Sequence, residues 1–213
     1  MTIFNILLGI HIVGGGTSLL LGLYILITKK GTKLHKRIGI VYYLAMVTAA
    51  LVAMPMCYMH PNHFLFIISV FTAYMLLTGK RYLTHKTLSS VGAYDWALTI
   101  IMALFGSAFI VFGSMNLFKG STFGVVFLAF GVISLLFVYQ DWINFKGKST
   151  IRNFFLTTHI QRMMGSYIAS VTAFLVVNNE ILPPVLVWLL PTVVIAPLIT
   201  IWTRKHKIEK VIA

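Results

Sequence analysis

Apolar residues run along this chain in long unbroken stretches, at about Ile3 to Ile27, Ile38 to Met56, Phe64 to Leu77, Trp96 to Phe118, Ser121 to Tyr139, Phe154 to Val177 and Pro184 to Trp202. None alternates with the period of two that a membrane barrel strand requires. Each approaches the roughly 20 residues that carry a helix across about 30 Å of hydrocarbon. The pattern predicts an all-α integral membrane protein, a seven-helix bundle. With their flanking residues the spans are expected at 3–27, 38–59, 62–79, 95–118, 121–143, 153–177 and 183–203, as one transmembrane domain over 1–213. The third run is the shortest and needs Asn62, His63 and Thr78 at its ends to cross.

Composition narrows the functions open to such a chain. It is 59% hydrophobic and 10% charged, with a mean hydropathy of +0.92, far from the balance of a soluble domain. Seven spans use roughly 140 residues, so the connections are short and any function must sit among the helices or on those connections. The single cysteine, Cys57, excludes an internal disulfide and a thiolate metal cage. The first span lacks a charged leader and a small-residue cleavage site, and is expected to be retained.

Charge then orients the bundle. Of the 17 Lys and Arg, 15 fall on alternate connections: Lys29, Lys30, Lys33, Lys36 and Arg37; Lys80, Arg81 and Lys86; Lys146, Lys148 and Arg152; and Arg204, Lys205, Lys207 and Lys210. Lys119 stands alone on the other side, and Arg162 lies inside a span. This asymmetry predicts the N-terminus outside and the C-terminus inside, in a multi-pass protein of a bacterial inner membrane. It explains the net charge of +13 through the lipid bilayer, without a nucleic-acid partner. Trp96, Trp142 and Trp202 fall at the same ends, at the depth where interfacial anchors belong.

Polar side chains at membrane depth are costly, so the few present are the candidates for function. The sixth span carries His159 and Arg162 three residues apart on one face, with Arg162 leaning toward the basic end. Asp141 closes the fifth span, where the helix dipole is negative, so it calls for a cation, and Arg162 and His159 are nearest in depth. Asp95 opens the fourth span, where capping free N–H groups and meeting the positive dipole is its ordinary role. His11 begins a stripe of Gly14, Gly15, Ser18 and Gly22, and is expected to serve as a hydrogen-bond partner on a close-packed seam. Gly165, Ala169 and Ala173 repeat that pattern, and such seams also admit a homo-oligomer. Met163 and Met164 read as packing, since no array of His and Met shares one face.

These residues also form a motif: His11; Leu34-His35-Lys36-Arg37-x-Gly39-x-x-Tyr42; Asp95-Trp96; Asp141; His159-x-x-Arg162-Met163-x-Gly165-x-Tyr167; and Trp188-x-x-Pro191-Thr192. Over nearly the whole chain it resembles the bacterial membrane-protein family catalogued as domain of unknown function 2306. The resemblance implies that His11, His35, Asp95, Asp141, His159 and Arg162 belong to the family motif, and it implies no reaction. Two other seven-helix classes do not fit. The last span has neither the lysine that a retinal Schiff base needs nor the histidines of a membrane zinc hydrolase.

The leading expectation is a polar site facing the cytoplasm, formed by His159, Arg162 and Asp141 with Asp95 and His35 at its mouth. It would bind or transport a small anionic or amphipathic molecule with proton coupling. No cofactor and no metal is expected on this reading. An alternative is a b-type haem redox protein, with axial ligands from His11 paired with His60 or His63, or from His35 or His85 paired with His159. A third is an intramembrane lipid-modifying enzyme with Asp141 and His159 as acid and base, and a fourth is a scaffold.

Overall fold

The computed structural model describes residues 2–84 and 87–208, and at 63 and 64 the backbone only. The described residues form seven α-helices: α1 (Ile3–Ile27), α2 (Lys33–Met59), α3 (His63–Thr84), α4 (Ala93–Phe118), α5 (Gly124–Phe145), α6 (Phe154–Val177) and α7 (Pro184–His206). No β-strand occurs among the described residues. Six of the helices, all but α3, are long and apolar enough to cross a membrane, which makes this a multi-pass membrane protein.

Helix ends differ from the hydrophobic runs where polar residues extend the spiral. α2 begins at Lys33, capped by the Thr32 hydroxyl, which accepts from the His35 N–H at 3.1 Å. α3 runs on through Gly79, Lys80 and Arg81 to Thr84. Hydropathy marks only the part of a helix that lies in hydrocarbon, and the helical backbone continues past it.

α3 packs against α2, α4 and α6, while α1 pairs with α2, α5 with α4, and α7 with α6. α3 is accordingly the inner helix, and every residue from Ile67 to Gly79 except Leu77 is buried. A helix screened from lipid by its neighbours has no need of a wholly apolar surface, so the weakest hydrophobic signal belongs to the most enclosed element. Its apolar side joins Met102, Phe109 and Phe130 in one core.

Small residues set the closest approaches. Gly14, Ser18 and Gly22 are the buried positions of α1. A Cβ at Gly14 would lie 2.9 Å from the Ala45 carbonyl of α2, and the Tyr167 ring of α6 occupies the space beside Gly22. The stripe is thus used inside the chain, and His11 joins it by a 3.0 Å contact between Nδ1 and the Ala49 carbonyl.

Each end tryptophan carries a lysine over its ring: Lys30 on Trp202 at 4.0 Å, Lys148 on Trp142 at 4.8 Å and Lys146 on Trp96 at 5.6 Å. Burial lowers the Lys30 ammonium pKa below the ordinary lysine value. These pairs mark one level at the basic end of the bundle.

Candidate functional site

A polar layer crosses the bundle near the basic end, and its centre is fully enclosed. Arg162 of α6 and Asp141 of α5 form an ion pair at 2.9 Å, with both side chains 0% exposed. The two helices are consecutive, yet α6 lies mainly on α3 and α7 and α5 mainly on α4. The pair is therefore made by the reach of the arginine and not by close backbones. The guanidinium does not extend to water at the helix end. It turns into the bundle, where Nη2 also donates to the Phe137 carbonyl at 3.0 Å and the group lies 3.8 Å from the centre of the Phe137 ring.

Four donors converge on the Asp141 carboxylate. Oδ1 receives Arg162 and the Tyr82 hydroxyl at 2.8 Å; Oδ2 receives the Tyr74 hydroxyl and the Thr99 hydroxyl, the latter at 3.2 Å. An acceptor with four lone-pair sites is thereby fully engaged, which is what a carboxylate needs at the dipole-unfavourable end of a helix. Around it Asn144 donates to Tyr82 and to Thr158, each at 3.2 Å. Arg162 is less well served. Its Nε and Nη1 are buried and have no hydrogen-bond partner among the described residues.

α3 supplies what sequence reasoning missed. Tyr74, Thr78 and Tyr82 recur every four residues and so form one polar stripe on the helix, a signal present in the sequence but masked by the third span's weak boundaries. Thr78 returns its hydroxyl to the Tyr74 carbonyl at 2.7 Å, whereas the two tyrosines reach Asp141. Gly79 lies beside the stripe, and a Cβ there would sit 2.8 Å from Arg162 Cβ. Only a glycine allows α3 and α6 to meet at this height.

Asp95 does what its place at the start of α4 predicts, accepting the Gly92 N–H at 3.0 Å, and it does more. Arg81 of α3 grips it with Nε at 2.7 Å and Nη2 at 2.6 Å. The Thr99 hydroxyl is shared between the backbone carbonyl of Asp95, one turn back in α4, at 3.0 Å and the Asp141 carboxylate. A space of about 10 Å³ between Asp95, Arg81, Thr78 and Tyr82 is just at the size that admits one water.

His159 is not among the partners of Asp141. Its Nδ1 lies 2.9 Å from the Gly79 carbonyl, and His35 and Lys80 are within Coulombic range of the ring. His35 lies on the first turn of α2, and its buried Nδ1 has no partner among the described residues. The structure thus brings Asp141 and Arg162 into contact, leaves the Asp95 carboxylate with Arg81 and the Gly92 N–H, and sets His159 and His35 to one side.

For the haem alternative, His11 of α1 contacts the Ala49 carbonyl of α2, and His159 of α6 contacts the Gly79 carbonyl of α3 with His35 within Coulombic range. His60 packs edge-on to Phe4. The side chain of His63, and His85 entirely, lie outside the described residues. Among the described residues no three His, Cys, Asp or Glu side chains gather to hold a metal ion.

No protein-family model, curated protein or solved structure matches the chain.

Proposed function

We propose that this chain is a bacterial inner-membrane protein of the kind its motif resembles, with its basic end and C-terminus in the cytoplasm. It binds a small anionic or amphipathic molecule at Arg162 and moves it through the polar layer with a proton as companion. The observation that carries this reading is the state of Arg162. The guanidinium is 0% exposed and holds Asp141 and the Phe137 carbonyl through Nη2, while Nε and Nη1 have no acceptor among the described residues. Unmet donors in an apolar interior cost about 1–3 kcal/mol each. A carboxylate or phosphate is the acceptor that best matches a guanidinium.

Asp141 then acts as the occupant of the site between visits. An arriving anion competes with it for Arg162, and Tyr74, Tyr82 and Thr99 continue to hold the displaced carboxylate. An anion entering a low-dielectric layer is favoured by a positive charge that moves with it, and a proton is the smallest such companion. Asp95 with Arg81, and His35 with His159, lie between this centre and the basic end and form its approach.

The test is thermal unfolding in nanodiscs with decanoate and decyl phosphate as anionic probes and a decyl ammonium as control. A probe present at 100 times its dissociation constant stabilises the protein by about 2.7 kcal/mol. The anionic probes should raise the wild-type melting temperature and leave the double variant Asp141→Asn, Arg162→Gln unmoved. Equal shifts in both proteins, or equal shifts with the cationic control, overturn the reading.

A further inference from the structure

Outside the buried layer, a groove of about 470 Å³ runs down the flank of α5 to the α5–α6 connection. Its chemistry changes along its length. Leu136 and Phe137 line it toward the middle of the bundle, Gln140 and Ile143 follow, with the Gln140 amide engaged by Gln161 at 2.6 Å, and Lys148, Ser149 and Thr150 line it at the basic end. From Asn144 to Leu136 the helix climbs about 12 Å at 1.5 Å per residue, and Lys148 lies over Trp142 at the interfacial level. The polar-to-apolar gradient therefore runs in the direction of a lipid molecule, head at the interface and chain inward.

Two features make this a formed site. The rim is tied down: Ser149 Oγ accepts the Ile151 N–H at 3.3 Å, the Arg152 N–H donates to the Ile208 carbonyl at 2.7 Å, and the Ile208 N–H donates to Asn153 Oδ1 at 2.9 Å. Basic charge is also in excess here. Asp95 and Asp141 are engaged by Arg81 and Arg162, Glu180 lies at the other end, beyond α6, and Glu209, the one remaining acid, lies outside the described residues. Among the described residues Lys148 has no carboxylate partner, and Lys146 and Arg152 flank it in sequence.

We infer that this groove binds an anionic phospholipid of the adjoining leaflet, with its phosphate on Lys148 and Thr150 and one acyl chain along Leu136 and Ile143. The volume falls in the range of small-molecule sites, and an anionic headgroup supplies the charge that the basic end lacks. The inference does not depend on the reading of Arg162, which lies behind the groove wall and contributes nothing to its lining.

Native mass spectrometry of protein released from nanodiscs of phosphatidylglycerol mixed with phosphatidylcholine reads the occupancy directly. Lys148→Gln should retain phosphatidylglycerol about fivefold less well than the wild type, as expected for one basic residue near a charged headgroup. Lys33→Gln, an exposed lysine at the same end and outside the groove, should retain it normally. Leu136→Asn should weaken retention of the lipid by disturbing the chain end while leaving Lys148 in place. Equal losses for Lys148→Gln and Lys33→Gln reduce the effect to diffuse surface charge and overturn the site. Displacement of the lipid by inorganic phosphate alone overturns it as a lipid site and makes it a site for free phosphate. Because decanoate and decyl phosphate also match the groove, the Arg162 experiment is repeated in the Lys148→Gln protein, where only the Arg162 site can answer, so the two readings fail separately.

Discussion

Arg162 and Asp141 meet at 2.9 Å across α6 and α5 with neither side chain exposed, and the arginine satisfies the carboxylate more completely than the carboxylate satisfies the arginine. The tyrosines of α3 account for that imbalance, since they spend their hydroxyls on Asp141. Removing either charge should therefore be far worse than removing both. Asp141→Asn and Arg162→Gln are each expected to cost about 3–5 kcal/mol, and the double variant less than their sum. A double-mutant cycle by denaturant unfolding in detergent micelles checks this, and strictly additive losses would contradict it.

Tyr82→Phe withdraws one donor from Asp141 and the acceptor of one Asn144 N–H, so it should destabilise by about 1–3 kcal/mol. Thr99→Val should cost less, because its hydroxyl is shared with the Asp95 carbonyl and is the longest of the four contacts. Thermal melts of the two variants side by side give the order; a neutral Tyr82→Phe means that the hydroxyl is not a working donor.

Glycines in helices can be told apart by what a methyl group would meet. Gly79→Ala forces a Cβ to 2.8 Å from Arg162 Cβ and should cost about 1–3 kcal/mol through overpacking. Gly16→Ala meets nothing within 4 Å and should be neutral or stabilising by up to about 1 kcal/mol from helix propensity. On the same seam, Gly14→Leu should destabilise more than His11→Asn, since bulk separates α1 from α2 whereas an amide keeps a hydrogen bond to Ala49. The opposite order in either comparison, read from unfolding midpoints, contradicts the packing described.

Orientation is checked by reporter fusions at Ala213. A cytoplasmic signal is expected from the distribution of basic residues, and a periplasmic one would invert the topology.

The absorption spectrum of the purified protein separates the ligand reading from the haem alternative. The anion reading expects no Soret band, whereas the haem alternative expects one from a pair such as His35 and His159, whose Nδ1 on the Gly79 carbonyl leaves Nε2 toward a ligand. A sharp band in stoichiometric yield would replace the anion site with a redox centre built on an interfacial histidine such as His35.

The sequence by itself determined the helices and the residues that could not lie idle. Spans emerge from runs of apolar residues because lipid leaves the backbone no partners but its own, so length and hydropathy are enough. The cation required by Asp141 was legible for a similar reason, as the dipole at the end of α5 opposes a carboxylate wherever the helix packs. The seam through Gly14, Ser18 and Gly22 followed from spacing alone. Only the tertiary structure decided what surrounds these groups. Hydropathy made α3 the least secure span, and the structure places it inside, so its polar stripe of Tyr74, Thr78 and Tyr82 became the wall of the site. Arg162 could lean toward water or into the bundle with the same sequence. Gly79 decided this by letting α3 close over it, and Arg81 took Asp95 by a contact across two helices. Such choices depend on which faces meet, and periodicity along one helix does not reveal the neighbour that it will meet.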